Sequence, residues 1–495
     1  MLINAELLLQ YQRCKRRTFL DIRGDYNQRD LPHELLLKVL EDKLAHHQNV
    51  IADLFYHQPD YPIDDWSAGT AATIELMQQG VDYIHKGVLL ASYLDKYTLL
   101  SCPDLLIKQP GTSIFGDWLY IPADIELGKR PKQEYQVISA FHAEILATVQ
   151  ETPPPTAWLI LRNKDVAYDV YLDKWVPQME TILAEYVEVI TTEKPPEVFI
   201  SRQKCNLCAW YTACYAIAQS QQHLSLLPGI TPIRYTQLQN LSLTTLEALA
   251  NTHPSTLETL TGFDVDVAAK LVVQAQSNLT KSPLILPTAL PSEELIYTAP
   301  IELYFDIEAQ QDINLDYLLG VLVVNRENNT EEFYSFLAAT PEQEELIWQK
   351  FLDLVHQYPE APIYHFCVYE QDTVKRLAKL YKTPNSVINP LLSRFVDVYE
   401  QLTKSVALPL ESYALKAIAR WIGFEWRDKE ASGAKCIYWY DQWLATGDRS
   451  IVEIIQRYNE DDCRATRTVK DWLVNFFQST SNLNLVENSF SGLDK

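Results

Sequence analysis

Asp306 and Glu308 stand two residues apart in ELYFDIEA, and on a strand that spacing puts both carboxylates on one face. Paired carboxylates repel unless a cation or a proton lies between them. The neighbouring Leu303, Tyr304, Phe305 and Ile307 form an apolar context in which a structural pair would lack partners, so the pattern favours metal binding. A second segment, YNEDD, sets Tyr458 and Asp462 four residues apart, on one face of a helix. That spacing brings a phenolic hydroxyl beside a metal-binding carboxylate.

Sulfur offers a different chemistry. Cys205-x2-Cys208-x5-Cys214 follows Pro195–Pro196 and makes a compact clamp for a soft metal or an iron–sulfur cluster. A fourth ligand is expected from Cys14, which lies among Arg13, Lys15, Arg16 and Arg17. Zinc would accept the same four thiolates, so spacing alone does not choose between them. Cys367, Cys436 and Cys463 read as ordinary buried thiols.

These residues need elements to position them. Over residues 1–222 the pattern predicts helix at 4–17 and from 71 to 80, then strands at 88–93, 104–108 and 118–126. A helix at 134–150, strands at 158–162 and 166–170 and a helix at 174–190 complete an α/β order that closes on the cysteines. Residues 223–280 read as short helices punctuated by Gly229 and Gly262, similar to helix-hairpin-helix elements, whose turn amides hold phosphates. Pro283, Pro287, Pro291 and Pro300 mark a stiff linker at 281–300. From 301 to 478, three strands, a helix, a fourth strand and further helices give the order of an RNase H-like α/β fold, and 479–495 reads as a flexible tail. The fold class expected is therefore multidomain α/β with a small helical middle.

Bulk properties bound the function. A chain of 495 residues exceeds a single core. Its 42 basic and 65 acidic side chains leave a formal net charge of −23, which argues against an avid nonspecific nucleic-acid coater. Local basic strips remain at Arg13, Lys15, Arg16 and Arg17 and at Lys129, Arg130 and Lys132. No run approaches the about 18–20 apolar residues of a membrane span, and the N-terminal segment lacks a signal-peptide pattern. The expectation is a cytoplasmic protein with reduced cysteines and no membrane partner.

YFDIEA, YHFCVYEQD and YNEDD resemble the three motifs of the DEDD-type 3′–5′ exonucleases, in the subclass with Tyr in the third motif. The resemblance implies that Asp306, Glu308 and Asp462 hold two divalent metals, Mg2+ or Mn2+, and that Tyr458 orients the attacking water in an in-line displacement at phosphorus. The middle motif departs from the family's Asn and Asp, offering His365, Tyr369 and Glu370. Glu370 can still ligate a hard cation, and Asp397 in FVDVYE competes with it.

One cysteine near the N-terminus and three after the fold resemble the iron–sulfur RecB-like nucleases of the PD-(D/E)XK group, which implies a [4Fe–4S] cluster on Cys14, Cys205, Cys208 and Cys214. CPDLLI matches that family's Pro-Asp motif at Asp104, and PADIELGKRPKQEYQ its following region at Asp124, with Gln136 on the next helix and Glu75 as an upstream acid. Both aspartates are implied metal ligands. Where the family places a catalytic lysine this chain has Glu126, and Lys129 is the basic residue nearest in sequence to replace it. The whole architecture resembles a bacterial family of RecB-like nucleases acting on DNA, and any motor or repair partner would be a separate chain, since no P-loop appears. Two other readings stand beside it: a nucleic-acid-binding adaptor with degenerate nuclease sites, and a redox-responsive binder gated by the cluster.

Overall fold

The computed structural model describes residues 1–32, 34–162, 164, 166–287, 289, 297–310 and 313–491. They fall into two compact units, Met1–Ala218 and Gln219–Lys495.

The first unit opens with β1 (Leu2–Asn4), α1 (Ala5–Arg13), α2 (Lys15–Arg23), α3 (Glu34–Ile51) and α4 (Trp66–Gln79). Then come β2 (Tyr83–His85), β3 (Leu89–Tyr93), β4 (Tyr97–Ser101), β5 (Leu105–Ser113), β6 (Gly116–Glu126) and α5 (Gln133–Gln150). It closes with β7 (Ala157–Leu161), β8 (Tyr168–Val170), α6 (Leu172–Thr191), α7 (Arg202–Cys205) and α8 (Tyr211–Ser220). The main sheet runs β2-β5-β6-β7-β8, with β6 and β7 parallel and the other neighbours antiparallel. Burial along β6 is almost continuous, because α5 covers one face while Leu54 and the side chains of Tyr83 and Trp158 pack on the other.

The helix expected over 4–17 is broken at Cys14, whose backbone is extended and whose Sγ accepts from the Arg17 amide at 3.4 Å. The thiol thus caps the second helix instead of lying along a continuous one. The segment after α2 is laced to the end of the unit. Trp210 Nε1 donates to Asp21 at 2.7 Å, the Asp30 amide donates to the Ala209 carbonyl at 2.7 Å, and Asp30 Oδ2 accepts from the Thr212 amide at 2.9 Å. Arg16 and Arg23 donate to the carbonyls of Pro196 and Ile190. The turn expected between the strands at 158–162 and 166–170 includes residues 163 and 165, which lie outside the described residues.

The second unit begins with α9 (Pro232–Asn240), α10 (Leu246–Ala250), α11 (Pro254–Leu257) and α12 (Val265–Thr280), followed by β9 (Leu284–Ile285). Gly229 and Gly262 sit at φ +88° and +82°, the left-handed region that glycine enters without a Cβ penalty. α12 is held to residues further along: Lys270 donates to the Thr403 carbonyl at 2.7 Å and Gln274 to that of Leu408 at 2.6 Å. Of the linker expected at 281–300, Pro291 and its neighbours from 290 to 296 lie outside the described residues, as does 288.

Next come β10 (Ile301–Gln310), β11 (Leu315–Asn325), β12 (Thr330–Leu337), α13 (Glu344–His356), β13 (Ile363–His365), α14 (Tyr369–Leu380) and α15 (Asn385–Leu392). β14 (Phe395–Asp397), α16 (Val398–Ser405), β15 (Val406–Ala407), α17 (Leu415–Ile422), α18 (Gly433–Thr446) and α19 (Arg449–Ser491) complete the chain. β15 pairs with β9. The five-stranded sheet has the order β12-β11-β10-β13-β14, antiparallel through β12, β11 and β10 and parallel from β10 to β14. Residues 479–491, which composition reads as a tail, continue α19. None of the described helices is long and apolar enough to cross a membrane.

α19 packs across β10 and β11, and its position is fixed by a buried ion pair. Lys470 Nζ lies 2.6 Å from Glu302 on β10, both side chains 0% exposed. Arg326 reaches the other Glu302 oxygen at 2.6 Å and forks onto Asp471 at 2.7 and 3.0 Å, while the Tyr304 hydroxyl donates to Glu302 at 2.7 Å. Removing one partner of such a pair leaves an uncompensated buried charge, worth about 3–5 kcal/mol. Lys470→Met is expected to lose about 3 kcal/mol, since Arg326 remains, and adding Glu302→Gln should recover most of that loss. Urea unfolding followed by circular dichroism measures both; a single-variant loss below about 1 kcal/mol would mean that Arg326 alone carries Glu302.

Candidate active site

β10 alternates Tyr304, Asp306 and Glu308 onto one face, and α19 lays Tyr458 and Asp462 over it. The ligand oxygens of Asp306, Glu308 and Asp462 all lie within 4.8 Å of one another. Glu308 and Asp462 are buried and Asp306 half-buried. Burial first, then the charges of Asp462, Glu308 and Glu370, hold the Asp306 carboxyl well above the usual range; burial and Asp462 do the same to Glu308. The Asp462 carboxyl is also raised by burial, against the opposing effect of a hydrogen bond from Trp426. A bulge follows at Glu308/Ala309, where β10 shifts register against β11.

The remaining residues expected here are placed as follows. Tyr458 is buried with its hydroxyl beside Asp462, and burial keeps its proton bound well above the usual phenol range. Lys416 stands 4.7 Å from the Tyr458 ring centre and 5.4 Å from that of Trp426, a cation close to the cluster without an ion pair to it. Glu370, in the first turn of α14, is buried with Oε2 unpartnered and 3.5 Å from His365 Nδ1. It is outside the tight group of three, yet its charge acts on Asp306. Asp397 is occupied otherwise: its Oδ1 accepts from the Cys367 and Glu400 amides at 3.1 Å, capping α16. Cys367, at φ +80°, turns the chain between β13 and α14.

Three residues of this site are not singled out by the motifs: Asn459 lies inside YNEDD, and Trp426 and Gly320 lie outside them. Asn459, 0% exposed, donates from Nδ2 to Asp306 Oδ2 at 2.7 Å. Trp426 Nε1 donates to Asp462 Oδ1 at 2.8 Å. Gly320 pairs with Asp306 across the β10–β11 ladder, and a Cβ there would meet Asn459 Oδ1 at 1.7 Å. A glycine inside the apolar run Tyr317–Val324 of this strand is a sequence signal for this contact.

In the first unit, Asp104 precedes β5 while Asp124 and Glu126 end β6. Their charges interact, but each already has a partner from the chain. Asp104 takes Lys86 in a short ion pair, the Ile125 amide at 2.7 Å and His47 at 3.4 Å, and these donors outweigh burial and hold its carboxyl well below the usual range. Ser139 donates to Asp124 at 2.7 Å, with His142 at 3.5 Å, yet burial and Asp104 push Asp124 up to about 7. Glu126 lies 3.6 Å from Lys43 and is also raised to about 7, mainly by burial. Lys86, from the turn after β2, and Lys43, from α3, are cations that reach these acids. Gln136 is buried and donates to the Pro131 carbonyl at 2.9 Å, while Glu75 is exposed on α4 and accepts from Gln79.

Cys14, Cys205, Cys208 and Cys214 are half-buried free thiols. They lie close enough that Cys14, Cys208 and Cys214 each raise the Cys205 thiol, which burial lifts to about 11. The Arg16 side chain acts on Cys214 and Arg17 on Cys208, both favouring thiolate.

Residues 303–474 match the family model of the RNase_H superfamily. No curated protein matches the chain. Among solved structures, one described as "Crystal structure of SSO0001" is similar at 11% identity and TM-score 0.23, over 43% of this chain and 86% of that one. The protein is thus a mixed α/β multidomain chain with an RNase H-like C-terminal region, which points to a nucleic-acid nuclease and to nucleic-acid binding. RNase H-like nucleases usually use Mg2+ or Mn2+, and an acidic cluster of the right kind is present.

Asp124 and Glu126 also make a prediction about pH. Their folded carboxyls, near 7, keep protons that the unfolded chain has released, so stability falls as pH rises from about 4 to 7 and then levels. In the presence of a chelator, Asp124→Asn with Glu126→Gln should flatten that decline and raise Tm above pH 7 by about 2–4 °C for each 1 kcal/mol relieved. Thermal scans from pH 5 to 8 with unchanged slope would show that neither group is held protonated.

Proposed function

We propose that this protein is a metal-dependent 3′–5′ exonuclease acting on DNA, with its working centre at Asp306, Glu308, Glu370, Asp462 and Tyr458. The observation that carries the reading is the group of three carboxylates within 4.8 Å, with no Lys or Arg ion-paired to any of them among the described residues. Such a set is stable at neutral pH only with protons or with cations. Oxygen-only ligands suit Mg2+ or Mn2+, and the unpartnered Glu370 Oε2 is a further hard donor at the edge of the group.

Divalent cations held there would stabilise the attacking and leaving oxygens during hydrolysis of a phosphodiester. The chain's own groups supply the rest. Tyr458 keeps its proton and lies beside Asp462, a hydroxyl that can hold a water by hydrogen bonding while the carboxylates stay ionised. Water adds to phosphorus and gives up a proton to solvent, the bond to the 3′ oxygen breaks, and the departing oxygen takes a proton from solvent. DNA as substrate and the 3′–5′ direction rest on the likeness of the three motifs to the exonuclease family.

The N-terminal unit is read as a RecB-like domain with a [4Fe–4S] cluster on Cys14, Cys205, Cys208 and Cys214. Four mutually interacting thiols, none in a disulfide and two beside arginines, fit an anionic thiolate set. Asp104 and Asp124 would be its carboxylate pair, but Glu126, Lys86 and Lys43 make this centre differ from a free metal site. The helical segment at 223–280 is read as a phosphate-binding helix-hairpin-helix pair, although Thr231, Thr245 and Asp264 already cap three of its helix starts.

Anaerobically purified protein should degrade end-labelled DNA with Mg2+ or Mn2+, and Asp306→Ala or Asp462→Ala should lower the rate by more than the about 100-fold typical of outer-sphere changes. Asp124→Ala should leave this product ladder intact. Degradation that survives both C-terminal substitutions would remove the assignment; binding of DNA ends without turnover in either metal would leave an adaptor. Cys14→Ala should abolish visible cluster absorption, and bound zinc in place of iron would correct the cofactor.

A further inference from the structure

Asp306 and Asp462 share a solution to a problem that Asp104 solves otherwise. Asp104 is neutralised by Lys86, a full positive charge. At the C-terminal cluster the donors are neutral: the Asn459 amide on Asp306 Oδ2 at 2.7 Å and the Trp426 indole on Asp462 Oδ1 at 2.8 Å. Each holds one oxygen of its aspartate and adds no charge, so neither offsets the mutual repulsion of the carboxylates. Asn459 is committed to this task. It is 0% exposed, and its other amide atom, Oδ1, is buried without a partner. An orphaned buried carbonyl costs roughly 1–3 kcal/mol. Rotating the amide to satisfy it would turn Oδ1 toward the Asp306 carboxylate, so the unpaired orientation is the one the aspartate selects. The room for that Oδ1 comes from Gly320, directly across the ladder from Asp306.

We propose that Asn459, seated by Gly320, is a positioning residue that orients Asp306 for a divalent cation, with Trp426 doing the same for Asp462. This rests on the metal-centre reading above and deepens it. Hydrogen bonds that fix ligand orientation are worth about 10–100-fold in metal affinity. The test is Mn2+ binding by full-length protein, counted by electron paramagnetic resonance of the free ion and taken as the Mn2+ that Asp306→Ala fails to bind. Asn459→Ala should weaken it about 10–100-fold, and Gly320→Ala should do likewise by displacing the Asn459 side chain. The double variant should bind no worse than Asn459→Ala, and should be more stable than Gly320→Ala, because the shortened side chain leaves space for the added methyl. Leu473→Ala, a core change on the same helix, should lower Tm and leave Mn2+ affinity at the wild-type value. Wild-type affinity in Asn459→Ala, or an equal loss in Leu473→Ala, would overturn the inference and leave the metal centre standing. Wild-type protein with no Asp306-dependent Mn2+ would remove the metal centre and the inference together.

Discussion

Like charges brought close in a partly dry site set the terms for the C-terminal unit. Two unit charges 4 Å apart repel by about 1 kcal/mol in water and about 4 kcal/mol at the effective dielectric of a protein edge. Three carboxylates within 4.8 Å multiply that cost, and only a rigid frame can hold them there. The frame has two parts: β10, paired on both sides, and α19, pinned to β10 by Lys470 and Glu302 two turns beyond Asp462. A surface ion pair would give such a frame little, whereas this one lies wholly out of water.

The two acidic centres of the chain show opposite ways of living with buried carboxylates. At Asp104, Asp124 and Glu126 the chain brings its own cations, Lys86 and Lys43, together with His47 and His142. At Asp306, Glu308 and Asp462 it brings an amide, an indole and a phenol. In the first arrangement Lys86 and Lys43 ion-pair directly with Asp104 and Glu126. The second has no Lys or Arg ion pair among the described residues, and the proposed cation site rests on that difference.

Much of this could be read from spacing, because some constraints are local. A period of two on a strand fixes Asp306 and Glu308 to one face whatever surrounds them, and a period of four on a helix does the same for Tyr458 and Asp462. The α/β order of the C-terminal region followed from hydrophobic periodicity for the same reason. Glu370 and Asp397 could not be ranked that way: their roles depend on where β13, α14 and α16 meet, and the structure leaves Glu370 Oε2 unpartnered while Asp397 caps a helix. Lys86, Lys43 and Trp426 lie outside the motifs, so no window around the motifs contains them; Asn459 stands inside YNEDD, but its partner Asp306 is 153 residues away. The spacing of Leu7, Leu8 and Tyr11 gives a helical pattern that leads up to Cys14 and carries no sign of a break there, and the thiol's neighbours come from the distant segment at 205–214.

The lacing of the first unit bears on the order in which it can be made. Asp21 and Asp30 are satisfied by Trp210, Ala209 and Thr212, and Arg16 and Arg23 by carbonyls near 190–196. On a ribosome these partners emerge long after the helices they secure, so the leading segment has to wait, solvated, through synthesis of the sheet that separates the two. Closure of this unit therefore follows synthesis of its own last segment, and a nascent chain halted before residue 214 would hold Cys14 without the three thiols it lies beside.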